Sequence, residues 1–253
     1  MIILYRFLPI LSAIFISSVF KIQFQKPFSY PYWLVIGISE VILAIFLMSR
    51  KRIKIKDLTE KMLPTLLLLF SLGFGSLLVE NSLERWVIIV LSGVSTFLSM
   101  ELLFFYIFSP SRYPMHGLSR VNIAYVPFII WYTVYTSIGL MTFLHTSNWI
   151  HVILMVILSI LLFRTTGHPE ATPQENKIWM LVGGITGFYL GLLGIVLPLS
   201  MSSQGALSMI LFAIALRLRR FLYKPLPNVK QIWAEAIIGF ASFVLIIITS
   251  RWL

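Results

Sequence analysis

Apolar residues occupy this chain in long unbroken runs, separated by short clusters of polar and basic residues. Crossing about 30 Å of hydrocarbon takes about 20 helical residues. Nine runs meet or approach that length: residues 2–20, 30–48, 62–79, 86–108, 121–144, 148–163, 178–199, 204–218 and 232–250. The sixth and eighth are short, and Trp149 and Phe221 at their edges offer extra length. The runs are continuous rather than ten-residue stretches of alternation, which favours helices over a β-barrel. The expected fold is all-α: a polytopic transmembrane helical bundle of about nine spans, forming a single integral membrane domain over 1–253.

Basic residues set the direction. Lys and Arg concentrate in cytoplasmic loops. Sixteen of the 20 fall on Arg6 and the loops after the second, fourth, sixth and eighth runs; the other side has only Lys21, Lys26, Arg85 and Arg251. The asymmetry predicts nine spans with the N-terminus cytoplasmic and the C-terminus outside. A cleaved leader at the first run is an alternative, given Arg6, Ser17 and Ser18. The run is long for a leader, however, and Lys21 follows closely, so a retained span is expected. The loop segments 50–56 and 217–220 are suited to anionic headgroups of the lipid bilayer.

Composition agrees. Of 253 residues, 58% are hydrophobic and 11% charged, against about 25% charged in a soluble domain. The mean hydropathy is +0.92. A net charge of +11 would suggest nucleic acid in a soluble protein. Its one-sided placement makes it topological here, and no nucleic-acid partner is expected. There is no cysteine, so thiol chemistry and disulfides are excluded. Asp57 is the only aspartate, which removes clustered-Asp metal sites and paired-Asp proteolysis. No nucleotide-binding fingerprint occurs, and no cofactor or metal is expected. The lack of an N-x-[ST] sequon fits a prokaryotic cytoplasmic (inner) membrane.

Within this frame a few residues stand out. Glu40 and Glu101 lie inside predicted spans, where a charge costs about 2.5–3.5 kcal/mol or more. Each is either hydrogen-bonded to a neighbouring helix or binds a proton, cation or polar substrate. Glu40 shares a helix face with Gly37 and Ala44. Glu101 shares one with Phe97, Phe104 and Phe105, while Ser92, Ser95, Thr96 and Ser99 lie on the other side. Arg6 is the nearest cation by depth, and snorkelling to the headgroups is its plainer role. Gly183, Gly187 and Gly191 form a small-xxx-small stripe suited to close helix packing. Tyr125, Phe128, Tyr132 and Tyr135 form an aromatic stripe, which either lines a cavity or packs in the core. Pro127 beside it removes one backbone donor.

The run Gly184–Ile195, GITGFYLGLLGI, resembles over a dozen residues a glycine-rich stretch of the TauE/SafE anion exporters. Val196, Leu197 and Pro198 then replace the glycines that family has, and no second copy occurs. The likeness is read as chance, and no residue role is carried across.

The histidines form no sharp constellation. His116, His168 and Glu170 are the best cytoplasmic cluster for metal or acid–base work; solvated loop residues are the plainer reading, as for His145 and His151 outside. Three functions remain. The first is a noncatalytic membrane component or assembly subunit with partner membrane proteins. The second is a transporter or permease for a small or amphiphilic solute using the intramembrane glutamates. The third is a membrane enzyme acting on a lipid-linked substrate.

Overall fold

The computed structural model describes residues 2–26, 29–49, 55–108, 116–166, 172–221 and 229–250, with the backbone alone at 2–4, 55–60, 116, 173, 218–221, 229–232, 235, 243 and 247. Every regular element among them is a helix: α1 (Ile2–Gln25), α2 (Tyr30–Ser49), α3 (Ile55–Gly75), α4 (Ser82–Phe108), α5 (His116–Leu144), α6 (Asn148–Thr165), α7 (Pro173–Val196), α8 (Met201–Phe221) and α9 (Val229–Thr249). Six are long and apolar enough to cross a membrane: Tyr5–Gln25, Tyr30–Ser49, Ser82–Phe108, Gly117–Leu144, Asn148–Thr165 and Gln174–Val196. The apolar stretches described in α3, α8 and α9 are shorter, at Lys61–Gly75, Met201–Arg217 and Ala236–Ile246.

Several helices run past their apolar windows because polar residues cap them. α7 begins five residues before Ile178. Thr172 and Glu175 form a reciprocal capping box there, with Pro173 just inside the helix, so the orphan amides of the first turn find partners. Its other end stops at Val196, short of Leu199, because Pro198 disfavours a helical residue before it. Gln204 Nε2 then donates to the carbonyls of Leu197 and Leu199, at 2.6 and 3.1 Å. α3 likewise ends at Gly75 rather than Val79. Ser76 Oγ donates to the Gly73 carbonyl at 2.6 Å, and Arg85 Nε to that of Val79 at 3.2 Å.

The chain divides into two compact units, Met1–Tyr125 and Val126–Leu253. In the first, α1 buries Ser12, Ile16, Val19, Phe20 and Gln23, a stripe at helical spacing. Neighbouring helices meet it at glycines. A Cβ at Gly37 of α2 would lie 3.3 Å from Ile16 Cδ1, and one at Gly93 of α4 would overlap Ser17 Oγ. On its other side α1 exposes Phe7, Ile10, Leu11 and Ile14. In the second unit α6 and α7 pack closely, and Phe163 stacks on Trp179 and meets Phe212 edge-on.

Candidate functional site: polar ties between helices

In the first unit α1 supplies partners to both glutamates singled out in the sequence. Arg6 Nη1 lies 2.7 Å from Glu101 Oε1. The guanidinium carbon also stands 5.3 Å from the centre of the Phe104 ring and 4.8 Å from that of Phe105. The pairing replaces the plainer expectation of a merely snorkelling Arg6. Because α4 sets Glu101, Phe104 and Phe105 on one face, carboxylate and rings converge on a single cation. Tyr5 stacks on Phe108 beside them, and Lys61 Nζ sits 3.8 Å from the centre of the Tyr106 ring.

Glu40 faces a different partner. Ser12 Oγ donates to Glu40 Oε1 at 2.8 Å, while Glu40 Oε2 is buried with no hydrogen-bond partner. Ser12 and Arg6 lie six residues apart on α1, a rise of about 9 Å. The two glutamates therefore tie α2 and α4 to different levels of the same helix.

A third tie joins α3, α4 and the first turns of α5. Thr65 Oγ1 donates to Ser99 Oγ at 2.8 Å. Ser99 Oγ is 3.1 Å from the Tyr125 hydroxyl, which donates to the Ser95 carbonyl at 2.8 Å. Asn122, one turn earlier on α5, donates from Nδ2 to the Lys61 carbonyl at 2.8 Å. Two sequence features thus meet here: the small polar stripe of α4 and the first tyrosine of the α5 stripe. The four aromatic residues do not share one environment. Tyr125 is buried, Phe128 is 40% exposed, and Tyr132 and Tyr135 are half-buried. A further polar pair, Gln23 Nε2 and Ser76 Oγ, links α1 to the end of α3.

The second unit holds the histidine that the sequence placed in a solvated outer turn. His151 instead occupies the second turn of α6 and is 1% exposed. α6 begins at Asn148, where its apolar run begins, so His151 falls within the helix rather than in the turn. Its Nδ1 lies 2.6 Å from Ser137 Oγ on α5. Ser137 Oγ is also 2.7 Å from the Thr133 carbonyl, to which it can donate. In that arrangement His151 Nδ1–H donates to Ser137, leaving Nε2 as an acceptor. Nε2 has no hydrogen-bond partner and points at Gly194, where a Cβ would stand 2.6 Å away. Ser159 Oγ, equally unpartnered, faces Gly187 in the same way, 2.7 Å from its Cβ position.

The glycine stripe is consumed in this packing. Cβ atoms at Gly183 and Gly191 would come 2.9 Å from the Ser159 carbonyl and from Val152 Cα. At Gly187 the obstacles are the Met155 carbonyl and Ser159. α7 therefore lies backbone-close against α6.

His168 and Glu170 lie outside the described residues, and only the backbone of His116 is described, at the start of α5. Among the described residues no group of three or more His, Cys, Asp or Glu converges. The described geometry serves cohesion: hydroxyls, two amides, one imidazole and one ion pair connect neighbouring helices.

No protein-family model, curated protein or solved structure matches the chain. The class defined by the described residues is an all-helical protein with six helices long and apolar enough to cross a membrane.

Proposed function

We propose that the chain is a multi-pass protein of a prokaryotic cytoplasmic membrane and acts as a noncatalytic subunit of a larger membrane assembly. All nine helices cross the bilayer in this reading, with the N-terminus cytoplasmic and the C-terminus outside. The basic loops then face anionic headgroups on the inner side. What supports nine crossings is the placement of sixteen of 20 basic residues on one side. The shorter apolar stretches of α3, α8 and α9 fit a locally thinned bilayer or little tilt.

The observation that carries the subunit reading is the use made of the polar groups. Arg6 with Glu101, Ser12 with Glu40, and Thr65 with Ser99 and Tyr125 each join one helix to another. The two glutamates have separate partners rather than one shared space, which weighs against a solute path built on both. α9 also exposes residues in succession around its axis, including Trp233, Ile237, Ile238 and Phe240, and offers surface to a partner span.

The test is the native mass of the full chain, extracted with its neighbours in a mild detergent or polymer disc. A complex of defined stoichiometry is expected. A lone monodisperse monomer that moves a solute across reconstituted vesicles overturns the subunit reading in favour of a transporter. Glu40 Oε2, buried without a partner, is the atom from which that alternative would start.

A further inference from the structure

Arg6 has more hydrogen-bonding capacity than Glu101 uses. A guanidinium carries five N–H donors in a planar fork. Glu101 engages Nη1 and is the one charged partner of Arg6 among the described residues. The Arg6 side chain is 47% exposed, whereas that of Glu101 is 18% exposed. A carboxylate and two rings therefore fix the fork, while about half of the side chain stays open.

The surroundings of that open part identify its partner. Arg6, Ile10 and Ile14 follow at i, i+4 and i+8 and stack along one face of α1. Ile10 is 45% exposed and Ile14 60%, with Phe7 and Leu11 exposed beside them. A cation at the head of an apolar strip matches a phospholipid, phosphate above and acyl chain below. A soluble acidic peptide would leave the strip unmatched. From Arg6 to Ile14 the strip runs about 12 Å, the depth of most of one leaflet's hydrocarbon.

We propose that Arg6 holds the phosphate of an anionic phospholipid, whose acyl chain lies along Ile10, Leu11 and Ile14. Glu101, Phe104 and Phe105 are positioning residues: they fix the plane of the fork so that its free edge meets phosphate oxygens two at a time. Lysine keeps the charge but lacks the fork. The proposal rests on α1 being a membrane span, as the proposed function requires.

The experiment is native mass spectrometry of the full chain, delipidated and offered phosphatidylglycerol or phosphatidylcholine. The wild-type chain should retain phosphatidylglycerol preferentially. Arg6→Gln should lower that retention about five-fold, the equivalent of about 1 kcal/mol per charge, and Arg6→Lys should fall between. Lys51→Gln with Arg52→Gln, in the basic segment that follows α2 in the sequence, should leave the Arg6-dependent part in place. Unchanged retention in Arg6→Gln overturns the site, as does equal displacement of the lipid by inorganic phosphate. Arg6→Lys guards against a folding defect, because it preserves the pair with Glu101. Ile14→Cys separates the two claims. Protection of that thiol from an impermeant maleimide, together with unchanged lipid retention in Arg6→Gln, overturns the phosphate site alone. Ready labelling of the thiol in intact cells overturns the span and the site with it.

Discussion

Arg6 of α1 and Glu101 of α4 meet at 2.7 Å, over the rings of Phe104 and Phe105. The pair ties the first helix to the fourth across ninety-five positions of sequence. Half the surface of Arg6 is open, so the pair's direct contribution is modest, about 1 kcal/mol or less. Its coupling is the measurable quantity. Arg6→Leu and Glu101→Leu should each lower the melting temperature of the purified chain. The double variant should lose less than the sum of the two, because it leaves no unpaired charge. Strict additivity would show that the two side chains do not act as a pair.

The α6–α7 crossing makes a sharper prediction. A methyl at Gly187 meets the Met155 carbonyl and Ser159, neither of which is the end of a flexible chain, whereas one at Gly184 meets only Ile160 at 3.4 Å. Gly187→Ala should destabilise by about 1–3 kcal/mol through overpacking. Gly184→Ala should be near neutral, or slightly stabilising through better helix propensity. Thermal unfolding in a fixed detergent reads both. Equal effects would remove the backbone-close crossing as the reason for the stripe.

Tyr125 tests the hydroxyl tie among α3, α4 and α5. Tyr125→Phe removes the donor to the Ser95 carbonyl and the neighbour of Ser99, at a cost of about 0.5–1.5 kcal/mol. Ser99→Ala should cost at least as much, because Thr65 and Tyr125 both lose a partner there. A Tyr125→Phe chain as stable as the parent would show that the hydroxyl contributes nothing net.

These residues also show what the sequence could reveal. Apolar run length identified each helix, because backbone polar groups in hydrocarbon must be satisfied within the segment. It grouped faces as well: the small stripe of α4 and the glycines of α7 each meet a neighbouring helix, whereas the aromatic stripe of α5 divides between a buried Tyr125 and an exposed Phe128. It could not identify partners. A spacing of three or four fixes which residues share a face but says nothing about the helix opposite, so Ser99 and Tyr125 were visible separately and their bond was not. Arg6 and Glu101 matched by depth alone, and choosing pairing over snorkelling required the path of α1. His151 was misplaced for another reason. Its run already starts at Asn148, as α6 does, but run length does not say that this face of the helix packs against Ser137 of α5 and Gly194 of α7. Run length did not reach the helix ends, since the Thr172–Glu175 capping box starts α7 ahead of its apolar window.

The absence of cysteine gives a direct test of the nine crossings. Single cysteines at Asn81 and Thr146, in the turns after α3 and α5, should react with an impermeant maleimide in intact cells. Cysteines at Ser111 and Gly167, between α4 and α5 and between α6 and α7 in the sequence, should react only once the membrane is opened. Asn81 is the decisive position. If α3, whose described apolar stretch is Lys61–Gly75, dips into the bilayer and returns, the α3–α4 turn moves to the cytoplasmic side and Asn81→Cys is protected. The charge pattern argues against that outcome. Turning back at α3 would invert every later loop and place Arg112, Arg120, Arg164, Lys177 and the cluster at 217–220 outside, reversing the asymmetry that orients the chain.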